Sequence, residues 1–275
     1  MFARQRTGAV VCPSCGNLVG VNDERCYNCG RWNPGLWGFA PLLRRMGNDL
    51  GFTNVVVAGS VVLFLAMLLA SGRNVTLMAG PMSILSPSDL AFVLFGASGA
   101  YPVFVLGSWW TVLSAGWLHG SALHILFNMM WIRQLGPATG ELFGPSRAVI
   151  IYTAAGVTGF AVSTFAGSPL TLGASAGVMG LLGAMVRYGQ RTGSSHIGSQ
   201  AWSWALILFV MGFLMRGVDN WAHGGGFAGG YLAALVLDPT QRERPVHMMM
   251  ALSCLLLTAL AIAASLLKGL ALLRG

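Results

Sequence analysis

Residues 148–186 read AVIIYTAAGVTGFAVSTFAGSPLTLGASAGVMGLLGAMV and contain no charged side chain over 39 positions. A helix needs about 20 mainly apolar residues to cross a bilayer, so this run is long enough for two crossings. The Gly-Ser-Pro sequence at 167–169 interrupts it, and proline ends or kinks a helix. The stretch therefore predicts two membrane helices, over 148–166 and 175–186, joined by a tight turn.

The whole chain has the composition of a polytopic membrane protein. Hydrophobic residues make up 55% and charged residues 9%, against about 25% charged in an ordinary soluble domain. Seven segments are predicted to span the membrane: 54–71, 121–135, 148–166, 175–186, 201–215, 220–237 and 248–267. Residues 75–117 are apolar but contain three prolines and many glycines, so they predict a long, partly embedded loop whose backbone other parts of the protein must satisfy.

The basic residues predict the orientation. With a cytoplasmic N-terminus, twelve arginines lie inside: Arg4, Arg6, Arg25, Arg31, Arg44, Arg45, Arg133, Arg147, Arg187, Arg191, Arg242 and Arg244. Four basic residues then lie outside: Arg73, Arg216, Lys268 and Arg274. This distribution follows the positive-inside rule, so the net charge of +8 reflects topology and we expect no nucleic-acid partner. We also expect no secretory signal peptide, because the first residues are polar.

Two cysteine pairs near the N-terminus have metal-ligand spacing. Cys12, Cys15, Cys26 and Cys29 form CxxC-x10-CxxC, and four thiolates so spaced can close a tetrahedral zinc site. The pattern predicts a zinc ribbon with one structural zinc ion. Disulfides are the alternative, which a reducing cytoplasm disfavours. The ribbon could serve as a structural unit, as a docking site for a cytoplasmic protein or as a nucleic-acid reader, and Cys254 is expected to be an inert thiol of the last span.

The first turns of three predicted helices carry polar side chains. With the N-terminus inside, the helices that begin near residues 121, 175 and 220 all run inward, so their starts lie at the extracytoplasmic face. The polar residues there are His119, His124, Asn128, Ser175 and His223, within about 10 Å in depth at 1.5 Å per residue. Ionisable residues inside a membrane are costly and usually functional. Their coincidence predicts a functional site near this face.

These residue types suit acyl transfer. A serine hydroxyl becomes nucleophilic when an adjacent base accepts its proton, and His223 is the best placed base for Ser175. The developing oxyanion needs aligned donors, which His124, Asn128 and the Ser175 backbone N–H could supply. Small residues allow the two helices to approach closely: Gly177, Gly180, Gly183, Gly225, Gly226, Gly229 and Gly230.

Three of the residues have a second interpretation. Ser175 alone could be a helix-packing residue. His119 could bond the loop backbone or take part in catalysis. Asp219, four residues before His223, could complete a triad, but a carboxylate at a helix start is also favoured by the helix dipole, which is the interpretation we prefer.

Four stretches resemble the rhomboid family of intramembrane serine proteases in their order and span positions. They are HGSALHILFNMM (119–130), LGPATGELFG (135–144), GASAG (173–177) and WAHGGGFAGG (221–230). The resemblance covers about residues 53–238, and the seventh span is similar to that of the six-plus-one variants. It implies an all-helical membrane bundle with an embedded first loop over about 72–117, and gating of lateral substrate entry by the fifth span with its preceding or following loop.

The resemblance also implies residue roles. Ser175 and His223 would form a Ser–His dyad, with His124 and Asn128 on the oxyanion side. Gly173, Gly177 and His119 would be supporting motif residues. The substrates would be transmembrane segments of other membrane proteins, cut near their outer ends.

Two positions depart from the family pattern. The first loop has Trp109 and Trp110 where a Trp-Arg pair is common, which leaves open how this loop is anchored. Ala176 stands where glycine is frequent. Neither departure touches the dyad, so we expect activity.

The predicted organisation has four parts. These are a zinc ribbon (1–33), a linker (34–52), a six-span rhomboid-like catalytic core (53–238), and a seventh span with its tail (239–275). The predicted activity is that of an intramembrane serine endopeptidase. The main alternative is a catalytically silent protein of the same fold that binds membrane helices. A small transporter would show inverted repeats, and no self-similar halves are visible.

Overall fold

The computed structural model describes residues 4–13, 15–78, 80, 83–215 and 217–272, without the side chains of 43–45 and 272. The N-terminal part contains two short antiparallel strands, β1 (Ala9–Val11) and β2 (Leu18–Gly20), with Val10 paired to Val19. Helices form most of the remainder: α1 (Ala40–Arg45), α2 (Phe52–Ser71), α3 (Asp89–Phe95), α4 (Thr111–Ser114), α5 (Ala122–Phe143), α6 (Pro145–Phe165), α7 (Ser175–Thr192), α8 (Ser195–Leu214), α9 (Asn220–Val236) and α10 (Pro245–Leu272).

Seven of these helices are long, and each coincides with one predicted span. Four segments in the described part of the chain are long and apolar enough to cross a membrane by length and composition: Phe52–Asn74, Pro145–Phe165, Ser195–Leu214 and Pro245–Ala271. The others, α5, α7 and α9, are the three that carry the candidate site residues. The all-helical membrane fold with a small N-terminal module is therefore confirmed.

Several helix ends differ from the predicted bounds. α5 continues to Phe143 rather than residue 135, α7 continues to Thr192 rather than 186, and α8 begins at Ser195 rather than 201. Hydropathy marks only the apolar part of a helix, whereas backbone hydrogen bonding continues past charged residues such as Arg187. The extensions are the polar ends of these helices.

Residues 75–117 form no long helix where they are described, as predicted. The segment contains α3, α4, a π-helical turn (Tyr101–Val105) and a 3₁₀ turn (Ala115–Trp117). Part of its backbone bonds neighbouring segments: Thr76 and Ser86 exchange N–H···O bonds of 2.9 Å, and the Ala122 N–H donates to Ile84 O at 2.8 Å. Such pairing makes irregular backbone tolerable at membrane depth.

Small residues bring α9 against α6 and α7. A Cβ added to Gly159 of α6 would lie 2.6 Å from the Ala222 carbonyl oxygen, and one added to Gly226 of α9 would overlap the Ala176 carbonyl. A Cβ added to Gly180 of α7 would lie 3.0 Å from the Gly226 carbonyl oxygen. The predicted close approach of α7 and α9 is therefore observed, and it occurs beside Ser175.

This packing gives a first testable prediction. Gly226→Ala should push α9 away from α7 and lower stability by about 1–3 kcal/mol, the usual cost of overpacking. The matched control is Gly156→Ala on α6, where an added Cβ meets nothing within 4 Å. Thermal unfolding of the purified variants in detergent measures the difference. Equal midpoints for the two variants would contradict the packing argument.

An ion pair joins the other ends of α7 and α9. Arg191 lies 2.9 Å from the Asp238 carboxylate, and its hydrogen bond holds the pKa of that carboxyl well below its usual range. Arg191 is about half exposed (47%), and exposed pairs contribute about 0–1 kcal/mol. The glycine contacts, rather than this pair, therefore fix the distance between the two helices.

The start of α6 holds the connection between α9 and α10. Arg147 is buried and donates to the carbonyl oxygens of Phe143, Asp238, Gln241 and Arg242, at 2.8–3.3 Å. A buried guanidinium needs such acceptors, because an unpaired polar group is costly to bury. The seventh long helix is thus attached to the other six at this end.

Candidate active site

A cavity of about 320 Å³ lies at the end of the bundle where α5, α7 and α9 begin and α8 ends. His124, Asn128, Ser175 and His223 all line it. The sequence predicts these residues at one depth on parallel helices, and the structure brings them to one cavity. His119 does not line it.

Ser175 is the first residue of α7 and is half-buried at the cavity wall. Gly173, two residues before it, has φ +123°, a backbone conformation that only glycine adopts readily. No hydrogen bond holds the Ser175 hydroxyl within the described part of the chain. The hydroxyl is therefore available to a molecule in the cavity or to a base.

His223 lies in the first turn of α9 and is 7% exposed. Its Nδ1 atom is buried and has no hydrogen-bond partner among the described residues. No direct hydrogen bond joins His223 to Ser175 in the same part of the chain, so that contact stays a prediction. Catalytic hydrogen bonds are often long without substrate and shorten in the complex.

Asp219 is the N-cap of α9, and its carboxylate makes no hydrogen bond to the His223 ring among the described residues. Its Oδ1 atom accepts from the backbone N–H groups of Trp221 (3.0 Å) and Ala222 (3.1 Å), and its Oδ2 atom accepts from the Ser163 hydroxyl. These bonds satisfy the first turn of the helix. They favour the capping interpretation over a triad.

One ring nitrogen of His124 is hydrogen-bonded to the backbone. Its Nδ1 atom accepts the Gly120 N–H at 3.1 Å, so the neutral imidazole carries its proton on Nε2. A Cβ placed on Gly173 would lie 2.7 Å from that Nε2 and 3.7 Å from the Ser175 hydroxyl oxygen. An N–H donor thus lies next to the backbone that carries Ser175.

Asn128 lies one turn after His124 and is 6% exposed. Its Nδ2 atom donates to the His124 carbonyl oxygen at 2.9 Å, which fixes the orientation of the amide. An amide nitrogen carries two protons, so a second N–H is left to donate. This side chain can therefore donate a hydrogen bond to a ligand in the cavity.

His119 supports the chain before Ser175. It is fully buried, and its Nε2 atom accepts the Ala174 N–H at 3.5 Å. Its ring meets the His124 ring edge to face, with the centroids 5.2 Å apart. Of the two interpretations left open by the sequence, the geometry favours bonding to the loop backbone.

Sequence reasoning missed the apolar wall of the cavity. The C-terminal half of α8 supplies much of it, and α5 adds large side chains: Phe127, Met130, Trp131, Ile207, Leu208, Met211 and Met215. Trp131 also meets Trp204 of α8, with the ring centroids 5.5 Å apart. No sequence pattern could have predicted this wall, because apolar residues that face lipid and apolar residues that face a cavity have the same hydropathy.

A second candidate site lies in the N-terminal module. The four sulfur atoms of Cys12, Cys15, Cys26 and Cys29 lie within 4.8 Å of one another, and all four thiols are free. Each CxxC pair is followed by a glycine in the left-handed region, Gly16 (φ +77°) or Gly30 (φ +70°), which closes the turn around the sulfurs. The cluster could hold a metal ion.

Comparison with known proteins agrees with this geometry. Residues 106–240 match the family described as Rhomboid domain. RHOMBOID-like protein 4 of Arabidopsis thaliana is 34% identical over 159 residues, which cover 56% of this chain and 40% of that protein. Rhomboid protease GluP of Bacillus subtilis is 31% identical over 156 residues, covering 55% and 30%. Rhomboid protease GlpG of Klebsiella pneumoniae is 32% identical over 187 residues, covering 60% and 66%.

The chain therefore contains a rhomboid domain and is related to rhomboid proteases, which confirms the resemblance drawn from its motifs. Rhomboid proteins are multi-pass integral membrane proteins, in agreement with the apolar helices found here. The chain spans less than half the length of the Arabidopsis and Bacillus relatives it matches.

Proposed function

We propose that the protein is an intramembrane serine endopeptidase that cleaves transmembrane segments of other membrane proteins. The observation that carries the proposal is one cavity lined by Ser175, His223, His124 and Asn128. A nucleophile, a base and two donors around one space are the components that acyl transfer needs. The rhomboid proteases among the relatives support the same reaction class.

In the proposed reaction, the Ser175 hydroxyl attacks the scissile carbonyl carbon while His223 accepts its proton. The tetrahedral oxyanion receives hydrogen bonds from the His124 Nε2–H, the Asn128 amide and the Ser175 backbone N–H. His223 then returns the proton to the leaving amine, and the peptide C–N bond breaks to leave an acyl-enzyme. Water hydrolyses that ester by the same proton transfers.

The proposed topology follows from the positive-inside count. The N-terminus and the ribbon lie in the cytoplasm, and the starts of α5, α7 and α9 lie near the extracytoplasmic face. Residues 1–33 would be the ribbon, 34–52 a linker, 53–238 the catalytic core and 239–275 the seventh span with its tail. Substrates would therefore be cut near their outer ends.

Reconstitution tests the proposal directly. Purified protein in liposomes should cleave a single-span reporter, and Ser175→Ala should not. The matched control is Ser203→Ala, since Ser203 is an exposed serine of α8 whose hydroxyl donates to the Ser199 carbonyl oxygen of its own helix. Full cleavage by Ser175→Ala would refute the mechanism.

The alternative is a catalytically silent protein that binds membrane helices. We keep this alternative because an identity of about 30% to rhomboid proteases does not by itself show that this chain is active. Such a protein would retain the reporter through purification without cutting it, and Ser175→Ala would retain it equally. A free hydroxyl and an imidazole that line the same cavity favour the protease.

The proposed metal of the ribbon is zinc, in a structural role. A tetrahedron with Zn–S bonds of about 2.3 Å has sulfur–sulfur edges of about 3.8 Å. The Cys12–Cys29 and Cys15–Cys26 sulfur separations are 3.7 and 3.5 Å, so four thiolates here fit that ion. A cytoplasmic protein partner of the ribbon is a further possibility that this proposal leaves open.

The zinc proposal predicts one zinc ion per chain by elemental analysis of the purified protein. Cys12→Ser should lower that content to near zero, because three remaining thiolates hold structural zinc poorly. Cys254→Ser, on α10, should leave it unchanged. Zinc-free protein whose four ribbon thiols are oxidised would contradict the assignment.

A further inference from the structure

Lys268 is a cation near the end of the seventh long helix, α10. A lysine near the end of a membrane helix can extend its long side chain to the interface or pair with specific partners inside the protein. The Lys268 ammonium donates to the carbonyl oxygen of Leu106 and lies 5.2 Å from the centroid of the Trp110 ring. Both partners belong to residues 75–117, between α2 and α5, which we call the embedded segment. A cation over an indole face is attracted by the ring.

A second contact lies one turn earlier on α10. The Trp110 indole N–H donates to the Ser265 hydroxyl oxygen at 3.1 Å, and the Ser114 hydroxyl lies 3.5 Å from the same oxygen. Ser265 is 4% exposed. We call Leu106, Trp110, Ser114, Ser265 and Lys268 the Lys268 cluster. It connects residues about 150 positions apart in the chain, so only the tertiary fold creates it.

Close packing accompanies these bonds. A Cβ on Gly269 would lie 2.7 Å from the Leu94 carbonyl oxygen at the end of α3, and one on Gly96 would overlap the Ser265 hydroxyl. Ser114 donates to the Gly96 carbonyl oxygen at 2.8 Å. α10 therefore lies directly against the embedded segment.

The embedded segment in turn holds the backbone that leads to Ser175. Ser98 and Thr171 exchange N–H···O bonds of 3.0 and 2.8 Å, and the Ala100 N–H donates to Ser168 O at 2.7 Å. The Gly173 N–H donates to the Ala115 carbonyl oxygen at 3.0 Å. Residues 168–173 thus depend on the segment that α10 contacts.

We propose that Lys268 is a positioning residue that acts from the seventh helix. It fixes the embedded segment through Leu106 and Trp110, and that segment fixes residues 168–173 and hence the Ser175 hydroxyl. This gives the seventh helix a part in the geometry of the site. It also explains how a loop with Trp109 and Trp110 is anchored. Trp110 makes the contacts with Lys268 and Ser265, whereas Trp109 is 69% exposed. The activity readout below rests on the proposed protease function.

The test compares Lys268→Met with Lys268→Arg in the full-length protein. Methionine keeps much of the apolar stem and removes the charge, whereas arginine keeps the charge. We expect Lys268→Met to lower kcat for the single-span reporter about tenfold with little change in KM, since a direct misplacement of about 1 Å costs about 10²-fold and this indirect displacement should be smaller. Hydrogen exchange at residues 98–106 should rise in the same variant, and Lys268→Arg should restore both measurements.

Leu267→Met is the matched control, because Leu267 is the adjacent residue and 70% exposed. If Lys268→Met does not fold, Trp110→Phe beside Trp109→Phe makes a similar comparison, because it removes the indole donor to Ser265 and weakens the contact of the ring with Lys268. Wild-type turnover in Lys268→Met would overturn the inference, and so would a loss that arginine fails to rescue. A wild type that cleaves nothing would instead refute the proposed function, and the exchange data would still decide whether Lys268 orders the embedded segment.

Discussion

A His223→Ala protein should cleave the single-span reporter at least about 10³-fold more slowly than wild type, the scale of losing one member of a catalytic dyad. Without the imidazole, no group is positioned to accept the Ser175 proton, and a neutral hydroxyl is a poor nucleophile. The fall should appear in kcat, with expression and thermal unfolding close to wild type, because His223 has no side-chain partner in the described structure to lose. Initial rates in liposomes measure it.

His196→Ala is the control for removing a histidine, since His196 is exposed at the start of α8, away from the cavity. It should keep wild-type rates. Asp219→Asn adds a second comparison. Because asparagine caps a helix about as well as aspartate, this variant should keep nearly wild-type stability and leave turnover nearly intact. A loss of turnover as large as that of His223→Ala would instead restore the triad interpretation.

The second large effect is expected at Gly173. An alanine there would require an unfavourable backbone at φ +123°, and its Cβ would lie 2.7 Å from the His124 Nε2 atom. His124 and the Ser175 backbone would have to separate, which moves the proposed oxyanion donor away from the nucleophile. Misplacement by about 1 Å can cost about 10²-fold, so we expect kcat to fall on that scale.

Gly167→Ala provides a matched comparison in the same connection. Gly167 also has a positive φ, +90°, but a Cβ there meets nothing within 4 Å. Both substitutions carry backbone strain, and only Gly173→Ala displaces His124. Turnover near wild type for Gly167→Ala and a large loss for Gly173→Ala would support the argument. Equal losses would mean that strain in the connection, rather than the His124 contact, limits activity.

Much of the architecture could be predicted from the sequence. All seven predicted segments coincide with long helices, and four of them are long and apolar enough to cross a membrane by length and composition, because a crossing needs about 20 mainly apolar residues. Alternate membrane helices of one chain run in the same direction. The order of the segments therefore predicted that Ser175 and His223, at the starts of two such helices, lie near the same membrane face. The glycines of α9 predicted a close contact, which follows from their missing side chains.

The remaining features depend on contacts that no local pattern encodes. Whether His119 or His124 faces the cavity is decided by backbone N–H groups at Ala174 and Gly120. The Lys268 cluster joins α10 to a segment about 150 residues earlier, and the sequence gives no period or motif for that pairing. The helix ends were missed because charge does not terminate a helix. These features follow from tertiary packing.

The most direct measurement is the location of a covalent adduct. Purified wild-type protein should react with a fluorophosphonate, and peptide mass spectrometry should find one adduct, on Ser175. The adduct should be absent from Ser175→Ala and strongly reduced in His223→Ala. A folded, membrane-inserted wild type that forms no adduct, or one that is labelled equally after Ser175→Ala, would contradict an activated serine in this cavity.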